Sequence, residues 1–158
     1  MSMRLTDVVV KWLEGEEWDE RPDVDEENQT SSTSFGIQVS EDFSVKGYFD
    51  TNEKSCVIKL FLYFVDSKIP VSKSEEVLKW VNLVNIGLGI GQLAVIPDDR
   101  ILRYYSSIDV EDASLEPSHI SNLMGAGFHV MEFRLPQFMA ICFGGKTAEE
   151  ALQIEPEE

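Results

Sequence analysis

The amino-acid pattern predicts an α+β two-layer sandwich, a mostly antiparallel five-stranded sheet with helices on one face. Two observations lead there. Apolar residues recur at helical spacing in three segments, residues 5–17, 72–86 and 117–143. In five other segments they alternate with polar residues, and short polar loops join neighbouring strands as antiparallel hairpins do. The order is α-β-β-β-α-β-β-α with one short helical turn at the end, and elements mixed in this way pack as a sheet layer under a helix layer. There is no internal repeat.

The first helix places Leu5, Val8, Val9, Trp12 and Leu13 on one face and Asp7, Lys11 and Glu14 on the other, with Thr6 or Asp7 available as a cap. Residues 14–27 then hold nine carboxylates and one arginine, followed by the polar run Asn28-Gln-Thr-Ser-Ser-Thr-Ser34. Like charge at that density disfavours compact structure, so residues 14–33 are expected to be a mobile acidic linker within a single domain of residues 1–158. Three strands follow. Phe35, Ile37 and Val39 mark the first, and Phe43, Val45 and Phe49 the second. Cys56, Ile58, Leu60, Leu62 and Phe64 give the third one wholly apolar face, opposite a mixed face of Val57, Lys59, Phe61 and Tyr63. A central strand covered by helices on one side has this composition.

After Pro70, Ser72-Lys-Ser-Glu75 has the spacing of a capping box for the middle helix, which Gly87 ends. Its core stripe is read as Val77, Leu78, Trp80, Val81 and Val84. Leu83 and Ile86 fall outside that stripe, beside Lys79 and Glu76, where a monomer would place polar residues. Leu83, Ile86 and Lys79 are therefore the candidate protein-interface residues, and a homodimer through this helix is expected. A second hairpin spans residues 91–110 around the turn Pro97-Asp-Asp-Arg100. The last long helix opens at Pro117, carries Ile120, Leu123, Met124, Phe128, Met131, Leu135, Phe138, Met139 and Cys142 at helical spacing, and stops at Gly144-Gly145. Thr147-Ala-Glu-Glu150 caps the final turn.

Composition narrows the function. An apolar fraction of 43% and an aromatic fraction of 10% are globular values. Thirteen Lys and Arg against 29 Asp and Glu leave a net charge of −16. Such a field repels nucleic acid and anionic membrane, so neither is an expected partner, and a protein partner enriched in basic residues is. Cys56 and Cys142 sit in apolar runs like free thiols in a reducing compartment. The N-terminal residues lack a signal-peptide pattern and no run is long enough to span a membrane, so a cytoplasmic location is expected.

No motif assembles a catalytic, cofactor or metal site. Gly87-Leu-Gly-Ile-Gly91 follows a helix and precedes a strand, the reverse of a dinucleotide loop, and Gly144-Gly-Lys-Thr147 has no strand leading in. Asp23-Val-Asp-Glu-Glu-Asn28 starts like a calcium loop, but Asn28 replaces the sixth-position glycine and Ser34 the twelfth-position glutamate. His119 and His129 lie ten residues apart on one helix, the first read as solvated and the second as half-buried and structural. Neither cysteine has a basic neighbour in sequence. The chain is accordingly read as a non-enzyme without a cofactor.

Several stretches carry a resemblance. Val81-Asn-Leu-Val-Asn85, the Gly-Gln-Leu-Ala-Val-Ile-Pro-Asp-Asp strand and turn, Ile101-Leu-Arg-Tyr-Tyr105, Phe133-Arg-Leu-Pro136 and Ala140-Ile-Cys-Phe-Gly-Gly-Lys-Thr-Ala-Glu-Glu-Ala-Leu152 resemble the YbjN-type bacterial sensory transduction regulator family. The element order resembles the type III secretion chaperone-like fold. The resemblance covers residues 34–152, in motif over the second half and in pattern over the first; the acidic segment departs from it. It implies a cytoplasmic, non-catalytic binding or regulatory module that often self-associates, and it transfers no catalytic residue. The alternative is a small-molecule-binding domain or enzyme with a pocket between sheet and helices.

Overall fold

A computed structural model describes residues 3–156. Six antiparallel strands form one sheet in the spatial order β1-β2-β3-β4-β6-β5. They are β1 (Asp23–Asp25), β2 (Thr30–Gln38), β3 (Ser44–Asn52), β4 (Val57–Phe64), β5 (Gln92–Ile96) and β6 (Ile101–Asp109). The helices are α1 (Arg4–Gly15), α2 (Ser74–Gly87), α3 (Pro117–Phe143) and α4 (Ala148–Leu152), with a 3-10 turn at Val71–Lys73 before α2. No helix among the described residues is long and apolar enough to cross a membrane.

The sheet has one strand more than its apolar alternation implies. The extra one, β1, comes from the acidic segment expected to be a linker: Asp23–Asp25 pairs with the start of β2, and Asp25 turns the chain by accepting bonds from the backbone and side chain of Asn28 at 3.0 and 2.7 Å. Backbone pairing brings the segment into the sheet although all three β1 side chains stay exposed, which leaves the carboxylates solvated. Trp18, upstream, packs edge-on against Trp12 and beside Phe35, so this part of the segment is fastened to the core as well.

Alternation then decides the layers. Phe35, Val45, Phe49, Ile58, Leu60, Leu62, Phe64, Leu93, Leu102 and Tyr104 are buried on one face, beneath α1, α2 and α3. Gly47 on that face is required, because a Cβ there would collide with the Phe35 ring. Gly91 combines φ +74° with the same constraint from Tyr104, whose hydroxyl donates to Ile90 O at 3.0 Å.

Three local expectations are corrected. Neither Thr6 nor Asp7 caps α1; the Glu53 carboxylate, arriving from the β3–β4 turn, accepts from Leu5 N at 2.9 Å and Thr6 N at 3.0 Å. The Thr6 hydroxyl instead joins Ser31 and Thr51 in a buried cluster at 2.6–3.1 Å. The Ser72–Glu75 box does not form, because the chain enters α2 through the 3-10 turn, closed by Lys73 N on Pro70 O at 2.9 Å. On α2, Leu78 lies outside the core at 53% exposure, while Leu83 is half-buried against it. The two flank the core stripe about equally by helical angle. They part because α4 covers the Leu83 side, where Glu76 accepts from Ala148 N at 2.7 Å and Lys79 pairs with Glu149.

α3 continues through Pro136 to Gly144, and Thr147 caps α4 through Glu150 N at 3.2 Å. Beneath α3, the buried Gln137 side chain accepts from Trp80 Nε1 and from Arg134 at 3.0 Å each and donates to Ile154 O at 3.0 Å, tying α2, α3 and the C-terminal segment together.

Candidate binding face of the sheet

The opposite face of the same strands has no buried residue. Pairing registers arrange its side chains in rows across the sheet. One row reads Ser34, Tyr48, Phe61, Tyr105 and Gln92; the next reads Gly36, Lys46, Tyr63, Arg103 and Ala94; a third holds Ser32, Asp50, Lys59 and Ser107. The aromatic rings touch: Phe61 lies 5.2 Å from Tyr105, and Tyr48 stands edge-on to Tyr63 at 5.9 Å between centroids. Lys46 sits 5.7 Å from the Tyr48 ring, and the Arg103 guanidinium 5.4 and 5.7 Å from Phe61 and Tyr105.

Arg103 is the least settled group on this face. Its Nε is shielded from solvent and has no hydrogen-bond partner. An unpaired shielded donor costs about 1–3 kcal/mol, which the ring contacts offset only in part. Tyrosine, phenylalanine and arginine half-buried on one sheet face have the composition of protein-interface hot spots.

Each sheet edge is blocked to strand addition over part of its length. On β5 the outward N–H and C=O of Leu93 are held by the Asn85 side chain at 2.8 and 2.9 Å. At the other edge β1 is three residues long with an aspartate at each end. Between β1 and β4 a groove of about 420 Å³ is walled by Val24, Val57 and Phe61 and rimmed by Asp23, Asp25, Asp50 and Lys59. Its carboxylates are partly committed, Asp25 to Asn28 and Asp50 to the Ser32 hydroxyl at 2.6 Å. These bonds to Asn28 hold the Asp25 carboxyl below the usual range.

The residues singled out from sequence fall elsewhere. Ile86 is 79% exposed and, with Leu78 two turns before it, forms an apolar flank of α2; Leu83 packs inward and Lys79 is paired with Glu149, an interaction that raises the lysine and lowers the glutamate pKa. His119 caps α3: its Nδ1 accepts from Glu116 N at 2.9 Å, closing a capping box with the Glu116 side chain. His129 is exposed rather than half-buried, 5.9 Å from the Phe133 ring, because its helix position turns away from the sheet. Cys56 lies in the β3–β4 turn with φ +54° and Cys142 on the buried side of α3; both are free, and burial pushes the Cys142 thiol up to about 11. No group of three metal-ligating side chains occurs among the described residues.

The sequence pattern does not single out Tyr48, Tyr63, Arg103 and Tyr105 as candidates; the mixed outward composition of β4, which carries Tyr63, is the visible signal of this face. Compared with known proteins, the chain matches no family model and no curated protein.

Proposed function

We propose that this chain is a non-catalytic, cytoplasmic protein-binding or regulatory module, of the secretion chaperone-like fold and YbjN-type family that its second half resembles, and that it docks its partner on the open sheet face. The observation that carries the docking surface is the aromatic row Tyr48–Phe61–Tyr105 bordered by Lys46 and Arg103, half-exposed on the face of the sheet that no helix covers. A sheet needs only one covered face to fold, so aromatic side chains kept on the other are available for a second molecule. Photo-cross-linking tests this: p-benzoylphenylalanine replacing Tyr105 should give a protein adduct in cells, and the same group replacing Val71, remote and 73% exposed, should not. Equal labelling from both positions would sink the reading.

A homodimer through α2 is a second reading, favoured by the exposed flank of Leu78 and Ile86. Ile86 and Leu78 replace Leu83 as its central residues, since Leu83 is already packed inside. Ile86→Glu should turn a sedimenting dimer into a monomer; a dimer that persists in this variant rules the flank out.

A further inference from the structure

We infer that the open face receives an extended acidic segment of another protein, with one carboxylate on each side of an apolar side chain, in the pattern Glu-x-Phe-x-Glu. The inference rests on the reading of that face as a docking surface and adds the chemistry of what docks. Lys46, Tyr63 and Arg103 are direct cross-strand neighbours on β3, β4 and β6. At ordinary strand spacing the two cations therefore flank an aromatic ring about 10 Å apart. Neither forms an ion pair; among the described residues the ion pairs are Lys79–Glu149 and Lys146–Glu150, both in the helical layer.

An extended segment projects alternate side chains from one side, so positions i, i+2 and i+4 span about 13 Å. The long Lys46 side chain and the Arg103 fork cover the difference, while the central apolar group rests on Phe61 and Tyr63, which stack 6.4 Å apart. Arg103 is already partly desolvated between rings, which strengthens its pairing with an incoming carboxylate.

The net charge of −16 does not reverse this sign. Of the nearby anions, Asp23, Asp25, Asp50 and Asp109 sit toward the other end of the strands, and Asp66, at the Lys46 end, is already engaged by the Ser44 N–H and hydroxyl at 2.9 and 2.6 Å. Asp50 is four residues along β3 from Lys46, about 13 Å away. That exceeds the screening length of about 8 Å at physiological salt. A segment with two carboxylates fits between the cations and this acidic rim. A basic segment meets Lys46 and Arg103 directly. Single-stranded RNA, which stacks bases on such rings, needs a continuous cationic track for its phosphates and would run over the aspartates.

Fluorescence anisotropy with the full chain in 0.15 M salt provides the test. The probes are the dye-labelled peptide Ser-Gly-Glu-Ser-Phe-Ser-Glu-Gly-Ser, its counterparts with both Glu changed to Lys or to Gln, and a nine-nucleotide oligouridylate. The acidic peptide should bind at least about tenfold tighter than any other probe, and Arg103→Gln should weaken it by about tenfold, a single charge-assisted contact. Lys46→Gln, at an exposed position outside the core, should weaken it several-fold. Arg103→Lys should retain part of the binding, and Lys11→Gln on α1 all of it. Equal binding of the Lys or Gln peptide, tighter binding of oligouridylate, absence of acidic-peptide binding, or indifference to both Lys46→Gln and Arg103→Gln overturns the acidic-segment inference. The docking surface itself stands or falls separately, by the cross-link from position 105.

Discussion

β4 carries two interleaved sets of side chains that meet opposite fates. Ile58, Leu60, Leu62 and Phe64 are at most 1% exposed, whereas Val57, Lys59, Phe61 and Tyr63 all retain contact with solvent. The sets differ less in chemistry than in neighbours: both contain a phenylalanine and a branched aliphatic residue. What separates them is the helical layer, which lies over one face and leaves the other to cross-strand contacts alone. An aromatic residue on a strand is thus a core residue only where the molecule supplies something to cover it.

Single truncations on the two faces should break or sharpen that contrast most. Leu60→Ala, on the covered face, should lower unfolding free energy by about 2–5 kcal/mol, while Phe61→Ala next to it should cost about 1 kcal/mol or less. Urea denaturation reads both; similar losses would mean that the open face is structural core rather than a binding surface.

The covered face depends on α1 staying in place, and Glu53 holds its N-terminus through Leu5 N and Thr6 N. Glu53→Ala should cost about 1–2 kcal/mol, the value of a lost cap with its donors left unpaired. Hydrogen exchange should show the loss as faster exchange in the first turn of α1; unchanged protection there would remove Glu53 from the account.

A smaller effect is expected where the sheet has no covered side at all. Replacing residues 20–28 by Gly and Ser keeps Trp18 and β2 and removes the short β1 pairing and a set of side chains, mostly acidic, that are exposed apart from half-buried Pro22. Stability should change by about 1 kcal/mol or less, as for surface substitutions. A loss above about 2 kcal/mol in the same urea titration would make the acidic hairpin a structural part of the sheet.

The smallest effect is chemical. Burial favours the neutral Cys142 thiol, which holds its proton up to about pH 11. Below the ordinary thiol value of 9.0 the thiol is neutral in both folded and unfolded chains; between 9.0 and about 11 only the folded chain keeps the proton, so stability falls as pH rises through that window. At pH 8, mass spectrometry after iodoacetamide treatment should find Cys56 modified and Cys142 spared; modification of Cys142 at a similar rate would show that its layer opens readily.

Much of this was legible in the chain itself. Leu5, Val8, Val9, Trp12 and Leu13 repeat at helical spacing, and Ile58, Leu60, Leu62 and Phe64 at strand spacing, because each face must bury its apolar side chains against another layer. Local signals of that kind determined the α+β class, the hairpins, the start of α3 at Pro117 and its stop at Gly144. Tertiary structure decided what local pattern leaves degenerate. Leu78 and Leu83 flank one stripe symmetrically, and only α4 buries one of them. Glu53 caps α1 from 48 residues away, beyond any reading of local caps. β1 joins the sheet through backbone bonds, to which its carboxylates contribute nothing that periodicity could register. Lys46, Tyr63 and Arg103 became one row only through the pairing of three strands. Local periodicity reports which side of an element is apolar, but long-range pairing determines what that side meets.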